Sequence, residues 1–131
     1  MIHPLGRCVI IILISMMLIS CFTNVPPEKV YGTYVASYPF GTETLTLNQD
    51  GSFVQQVAIK GQPPVTVQGS WSSEPNNKHV ILKGSMMVVD GFGKLRSDWR
   101  IVPSGIVAIS TERLWFRVVL NSGGQYPYIK Q

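Results

Sequence analysis

Cysteine is nearly absent from this sequence, which holds two in 131 residues, Cys8 and Cys21, and none after position 21. From residue 22 onward the chain therefore has no means of forming a disulfide or a cysteine-ligated zinc site, and its stability must come from a core. Histidine is equally scarce, with His79 the only one after His3. No Gly-x-Ser-x-Gly elbow accompanies it, so it reads as a solvated loop side chain rather than part of a nucleophilic triad. The acidic residues Glu43, Asp50, Glu74, Asp90, Asp98 and Glu112 are scattered singly. Folding would have to bring two of them together to make a hydrolytic pair, and their spacing does not favour it. Asp50 and Asp90 precede glycines and read as turn residues. Gly91-Phe92-Gly93-Lys94 lacks the spacing and following helix of a phosphate loop and also reads as a turn. No catalytic residue, metal site or cofactor is expected, and the protein is not expected to be an enzyme.

Net charge excludes less. Eleven basic residues against seven acidic give +4, a mild excess without the concentrated basic stripe of a nucleic-acid binder. Removing the first 20 residues takes Arg7 with them and lowers the excess to +3.

Most of the uninterrupted apolar sequence lies at the start. Met1 to Arg7 is short and weakly positive, and Cys8 to Ile19 is an apolar run broken only by Ser15. A spanning helix needs about 20 apolar residues, whereas the core of a secretory signal needs about 7 to 15. The length matches an export signal. The run ends in Leu18-Ile19-Ser20-Cys21, which resembles the lipobox of bacterial lipoprotein precursors. That resemblance implies that signal peptidase II cuts between Ser20 and Cys21 and that the Cys21 thiol carries a diacylglycerol. It also implies that the new amino group is acylated, typically with palmitate. Several acyl chains at about 0.8 kcal/mol per buried methylene would hold the protein firmly on a membrane. Phe22 stands where an aspartate would signal inner-membrane retention. In a Gram-negative cell the resemblance thus implies the outer membrane, facing the periplasm.

The expected organisation is a signal peptide over 1–20, a lipidated cysteine and tether over 21–29, and a β domain over 30–131. Pro26-Pro27 favours extended polyproline geometry in the tether. Beyond Val30 no window keeps apolar residues at helical spacing for three turns, while alternation and turn residues recur. Strands are expected over 31–38, 44–48, 52–60, 65–72, 79–83, 85–89, 95–102, 106–110, 114–120 and 126–130. Val65, Val67, Gly69 and Trp71 against Thr66, Gln68, Ser70 and Ser72 is the clearest alternation. Phe53, Val57 and Ile59 share a face with Gln55, a less clean pattern. About nine or ten strands suit an all-β antiparallel meander forming a closed or nearly closed barrel, preceded by the signal-peptide helix.

Gly32-Thr33-Tyr34, Glu43 to Leu47, Asp50-Gly51-Ser52-Phe53 and Gly69-Ser70-Trp71 resemble small lipocalin-like envelope lipoproteins, including the N-terminal domain of NlpE-type proteins. The resemblance covers roughly 30–72 and implies a barrel. This chain lacks the Cys-x-x-Cys of NlpE-type domains, so no copper or redox role comes with it.

Two groups of residues remain as candidates for binding. Arg96, Arg100, Arg113, Trp115 and Arg117 are expected to form a basic, aromatic-bearing exterior surface for an envelope protein, glycan or lipid. Here Arg113, Trp115 and Arg117 would lie on the face opposite Leu114, Phe116 and Val118. Tyr34, Trp71, Trp99 and Phe116 would line the interior if the barrel is hollow, or fill it if packed. The leading expectation is a membrane-anchored, non-enzymatic interaction module of the cell envelope. A lipocalin-like carrier of a small apolar ligand, or an inhibitor or immunity-type protein against an envelope-acting enzyme or toxin, are the alternatives.

Overall fold

The computed structural model describes residues 25–74, 78–102, 105–114, 117–121 and 125–131. The expected signal peptide, Ser20 and Cys21 lie outside the described residues, as do Trp115 and Phe116.

One helical turn, α1 (Pro27–Val30), precedes eight strands: β1 (Gly32–Tyr38), β2 (Gly41–Leu47), β3 (Ser52–Ile59), β4 (Val65–Ser73), β5 (His79–Lys83), β6 (Ile106–Leu114), β7 (Arg117–Asn121) and β8 (Tyr128–Lys130). Each pairs antiparallel with the next, and β8 pairs back onto β1 through Tyr34 opposite Lys130 and Val35 opposite Ile129. The sheet closes on itself, so the all-β barrel is what forms. Closure removes every free sheet edge, and eight strands leave an interior that side chains can fill.

Alternation is obeyed where it matters. Tyr34, Ala36 and Tyr38 from β1, Leu45 and Leu47 from β2, and Phe53, Val57 and Ile59 from β3 are buried, while Ser37, Thr42, Gln56 and Ala58 are exposed. Gly51 takes a φ of +87° in the β2–β3 turn, with Asp50 accepting hydrogen bonds from the Ser52 amide and hydroxyl. Trp71 closes over that turn, its indole Nε1 donating to the Asn48 carbonyl at 2.7 Å.

Four expectations are corrected. Pro26-Pro27 does not run on as an extended tether: Pro26 is extended, but Pro27 opens α1 at a position where its missing N–H costs nothing. Val25 and Val30 on either side are buried in the core. The Tyr34 hydroxyl donates to the Val30 carbonyl and ties α1 to β1.

Residues 85–89 and 95–102 are not barrel strands. They belong to the long β5–β6 connection, whose described residues make one isolated bridge, between Val89 and Leu95. β5 pairs directly with β6, leaving no place in the closed sheet for further strands between them. The apparent alternation through Trp99 dissolves into a turn over residues 97–100, where the Ile101 amide donates to the Asp98 carbonyl. Trp99 is buried, whereas Ile101 is exposed.

The expected strand 114–120 is divided, since β6 ends at Leu114 and β7 begins at Arg117. Finally, 41–43 belong to β2, which brings Glu43 onto the same inward parity as Leu45 and Leu47.

Candidate functional site

A carboxylate stands inside the barrel. Glu43 is 1% exposed and Gln55 also 1%, the two most deeply buried polar side chains among the described residues. On β2, Glu43 lies opposite Ala36 of β1 and Val57 of β3, and Gln55 sits opposite Leu45. Period-two geometry therefore aims both side chains inward, between apolar neighbours. The Tyr38 hydroxyl at the end of β1 donates to Glu43 Oε2 at 2.7 Å. The Tyr128 hydroxyl and the Gln55 amide both donate to Oε1. Tyr128 reaches this point only because β8 closes against β1.

Gln55 also faces the β5–β6 connection. Its Nε2 donates to the Met86 carbonyl at 3.0 Å, and its Oε1 accepts from the Met86 amide at 2.7 Å. A side-chain amide thus takes the place of a strand partner for Met86. The connection enters the barrel mouth here, burying Ser85, Met86 and Val88 and exposing Met87.

Burial dominates the electrostatics. Desolvation raises the Glu43 carboxyl above its ordinary range, and the donated hydrogen bonds from Tyr128, Tyr38 and Gln55 counter this only in part. The Tyr38 and Tyr128 phenols are raised chiefly by burial and secondarily by the Glu43 charge. Both stay protonated through the neutral range and act there as donors. Beside this group lies a cavity of about 70 Å³, lined by Tyr38, Glu43, Tyr128, Ser85 and apolar side chains that include Met86 and Met87. Among the described residues its lining contains no Lys, Arg or His.

The expected lining residues are elsewhere. Tyr34 is core, Trp71 is half-buried over the β2–β3 turn, Trp99 is buried in the β5–β6 connection, and none of the three borders the cavity. Phe116 lies outside the described residues.

The expected basic surface is not brought together either. Arg96 and Arg100 lie on the β5–β6 connection, at the end of the barrel where β6 begins. Arg96 makes a forked ion pair with Asp98, both contacts 2.9 Å. Arg100 stacks over Trp99 at 4.9 Å and donates to Gln62 Oε1 at 3.1 Å. Arg113 and Arg117, both exposed, flank the β6–β7 turn at the other end, and Ile106 to Arg113 spans roughly 23 Å of strand. In the register Arg113 opposes Val118 and Leu114 opposes Arg117, so the two arginines take opposite faces of the hairpin. Trp115, between them, lies outside the described residues.

His79 is half-exposed and pairs through Nδ1 with Glu74 Oε2 at 2.9 Å. Their backbones are joined by the Glu74 amide donating to the His79 carbonyl, so the pair clips the β4–β5 hairpin. Asp90 accepts from the amides of Phe92 and Lys94, the turn expected there.

Sequence reasoning missed the Glu43–Gln55 pair as a site, although a signal existed. Both polar residues hold the inward parity of an apolar strand face, Glu43 before Leu45 and Leu47, Gln55 between Phe53 and Val57. A second feature was also missed. Of the six large hydrophobic residues that are prominently exposed among the described residues, five are Met87, Phe92, Ile101, Val102 and Ile106, in or bordering the β5–β6 connection.

Comparison with known proteins finds no matching family model, no matching curated protein and no matching solved structure.

Proposed function

We propose that this protein is a lipid-anchored, non-enzymatic interaction module of the bacterial cell envelope, using the β5–β6 connection to engage a protein partner. The observation that carries the reading is the concentration of exposed apolar side chains on that connection. Phe92 is 82%, Ile101 68% and Ile106 65% exposed. The β5–β6 connection, 22 residues from 84 to 105, is long for a compact domain, and such loops are commonly functional. Five exposed apolar side chains gathered on and beside one connection supply the kind of surface that marks protein interaction sites when it forms a patch.

Topology adds direction. α1 and the start of β1 occupy one end of the barrel, with the Lys130 ammonium donating to the Lys29 carbonyl. β6 runs antiparallel to β1, so its first residue, and the connection before it, lie at the other end. An acylated Cys21, four residues before Val25, would place the membrane at the α1 end. The apolar connection would then project toward the periplasm, and Arg113 and Arg117 would lie on the membrane side. The small cavity supports a lipocalin-like carrier less well, because pockets for drug-sized ligands run to about 300 to 1,000 Å³.

Two measurements test this. Intact-mass analysis of the native protein is expected to give a chain starting at acylated Cys21; an unmodified thiol there removes the anchor. A photo-crosslinking residue at position 92 is expected to give one discrete adduct in the native envelope. The same group at the exposed wall position 56 is expected to give none. Equal adducts from both positions, or none from position 92, would remove the interaction surface.

A further inference from the structure

We infer that the cavity beside Glu43 is a binding site for a primary ammonium group, carried by a small amine or by a lysine side chain. This goes beyond the interaction reading and does not depend on it.

Glu43 brings a carboxylate into the barrel without a counter-ion. Its neighbours there are two phenols, an amide and apolar groups, and no cationic side chain of the described residues acts on it. A buried carboxylate lacking an opposite charge is costly even when hydrogen-bonded, which creates a standing preference for a cation. The space beside it is suited to one. A water-sized group needs about 10 to 15 Å³ of such space, so a cavity of about 70 Å³ admits a small group of a few heavy atoms. An ammonium with one or two carbons fits, and a drug-sized ligand does not.

The acceptors are suitably arranged. Glu43 Oε1 already receives two hydrogen bonds, but Oε2 receives one, from Tyr38, and a carboxylate oxygen has capacity for another. The Tyr38 and Tyr128 hydroxyls spend their protons on Glu43 and keep lone pairs for an incoming donor. Buried Ser85 also borders the space. An ammonium's three protons can thus be matched by oxygen, while its carbon end meets Met86, Met87 and Val88. A calcium ion takes about six to eight oxygen ligands, more than this wall offers. Exposed Met87 at the rim gives a route from outside. A proton competes for the same oxygen, so occupancy should rise with pH.

The experiment is a titration of the purified native protein in detergent, followed by carboxyl ¹³C resonances of its glutamates. Methylammonium chloride is compared with tetramethylammonium chloride at equal ionic strength, and N-acetyl-lysine methylamide supplies a third arm. Methylammonium is expected to saturate the Glu43 resonance and lower its pH midpoint, with tetramethylammonium inert. Saturation by the lysine compound as well assigns the site to lysine side chains; saturation by methylammonium alone assigns it to free amines. Glu43→Gln, followed instead at the Tyr38 and Tyr128 ring ¹³C resonances, is expected to weaken binding about tenfold or more, since a charge-assisted bond is lost. Equal responses to both ammonium salts, or undiminished binding by a folded Glu43→Gln variant, would overturn the inference. Should that variant fail to fold, an unmoved Glu43 midpoint in the unaltered protein would overturn it equally.

Discussion

Gln55 and Met86 exchange two hydrogen bonds across 31 residues of sequence, the Gln55 amide donating to the Met86 carbonyl and its oxygen accepting from the Met86 N–H. The same side chain holds Glu43. One residue of β3 therefore fixes both the buried carboxylate and the entry of the β5–β6 connection into the barrel mouth. Replacing it with methionine preserves volume but strands two backbone groups and removes a donor from the carboxylate. Each unsatisfied buried group costs roughly 1 to 3 kcal/mol. Gln55→Met is expected to lower the unfolding free energy by about 2 to 4 kcal/mol in urea melts. It should also speed amide exchange at Met86 and its neighbours more than in β1. Uniform acceleration would mean that the connection is held by its apolar contacts instead.

The buried carboxyl sets a pH dependence of definite sign. In the unfolded chain Glu43 titrates as an ordinary glutamate, whereas burial raises it in the folded protein. Between those two points the folded state keeps a proton that the unfolded state has released. Stability is thus highest below the ordinary glutamate pKa, falls as pH rises through the window, and levels off above the folded-state titration. Asp50, Asp90 and Asp98, lowered chiefly by hydrogen bonds, act in the opposite sense. Comparison with Glu43→Gln isolates the buried group. Urea midpoints of the unaltered protein are expected to drop relative to those of the variant as pH rises. Parallel curves would show that Glu43 does not titrate in the way its burial demands.

What the sequence disclosed was the part governed by local alternation and turn chemistry. Val65 to Trp71, the Asp50-Gly51 turn and the inward set Tyr34, Ala36 and Tyr38 could all be read from neighbours within a few residues. The buried site could not, because Tyr38, Gln55 and Tyr128 lie 5, 12 and 85 residues from Glu43. Tyr128 joins them only through closure of β8 on β1, which no local pattern encodes. The region around Trp99 misled for a related reason. Leu95, Ser97, Trp99 and Ile101 alternate as a strand would, but no sheet edge remains for them to pair with. Arg113 and Arg117 misled because the hairpin break between β6 and β7 resets the parity.

Gly69 marks a place where packing dictates the residue. It opposes Phe53 on the inner face, and a Cβ there would lie 2.6 Å from the Phe53 ring and 2.2 Å from the Lys83 carbonyl oxygen. The second of these atoms is backbone and has no rotamer to yield. Gly69→Ala should therefore shift β4 against β5 and cost about 1 to 3 kcal/mol, the usual range for overpacking a filled core. Gly91→Ala supplies a control, as a Cβ there meets nothing within 4 Å. A thermal melt in which the two variants lose the same stability would mean that the β4–β5 contact is looser than its geometry requires.

Thr111 offers the opposite case, a residue whose polar atom works against the fold. It lies on β6 opposite Leu120, and its Oγ1 is buried without a hydrogen-bond partner among the described residues. Valine has the same shape and carries no hydroxyl, so Thr111→Val removes an unsatisfied group without opening a cavity. The unfolding free energy is expected to stay level or rise by up to about 1 kcal/mol. Thr111→Ala also removes a methyl group, and is expected to be less stable than the valine variant by about 1 kcal/mol. The ordering of these two variants separates the hydroxyl from the packing. If valine falls below threonine, the hydroxyl must be satisfied by water that enters the barrel, and this face of β6 would be wetter than its burial implies.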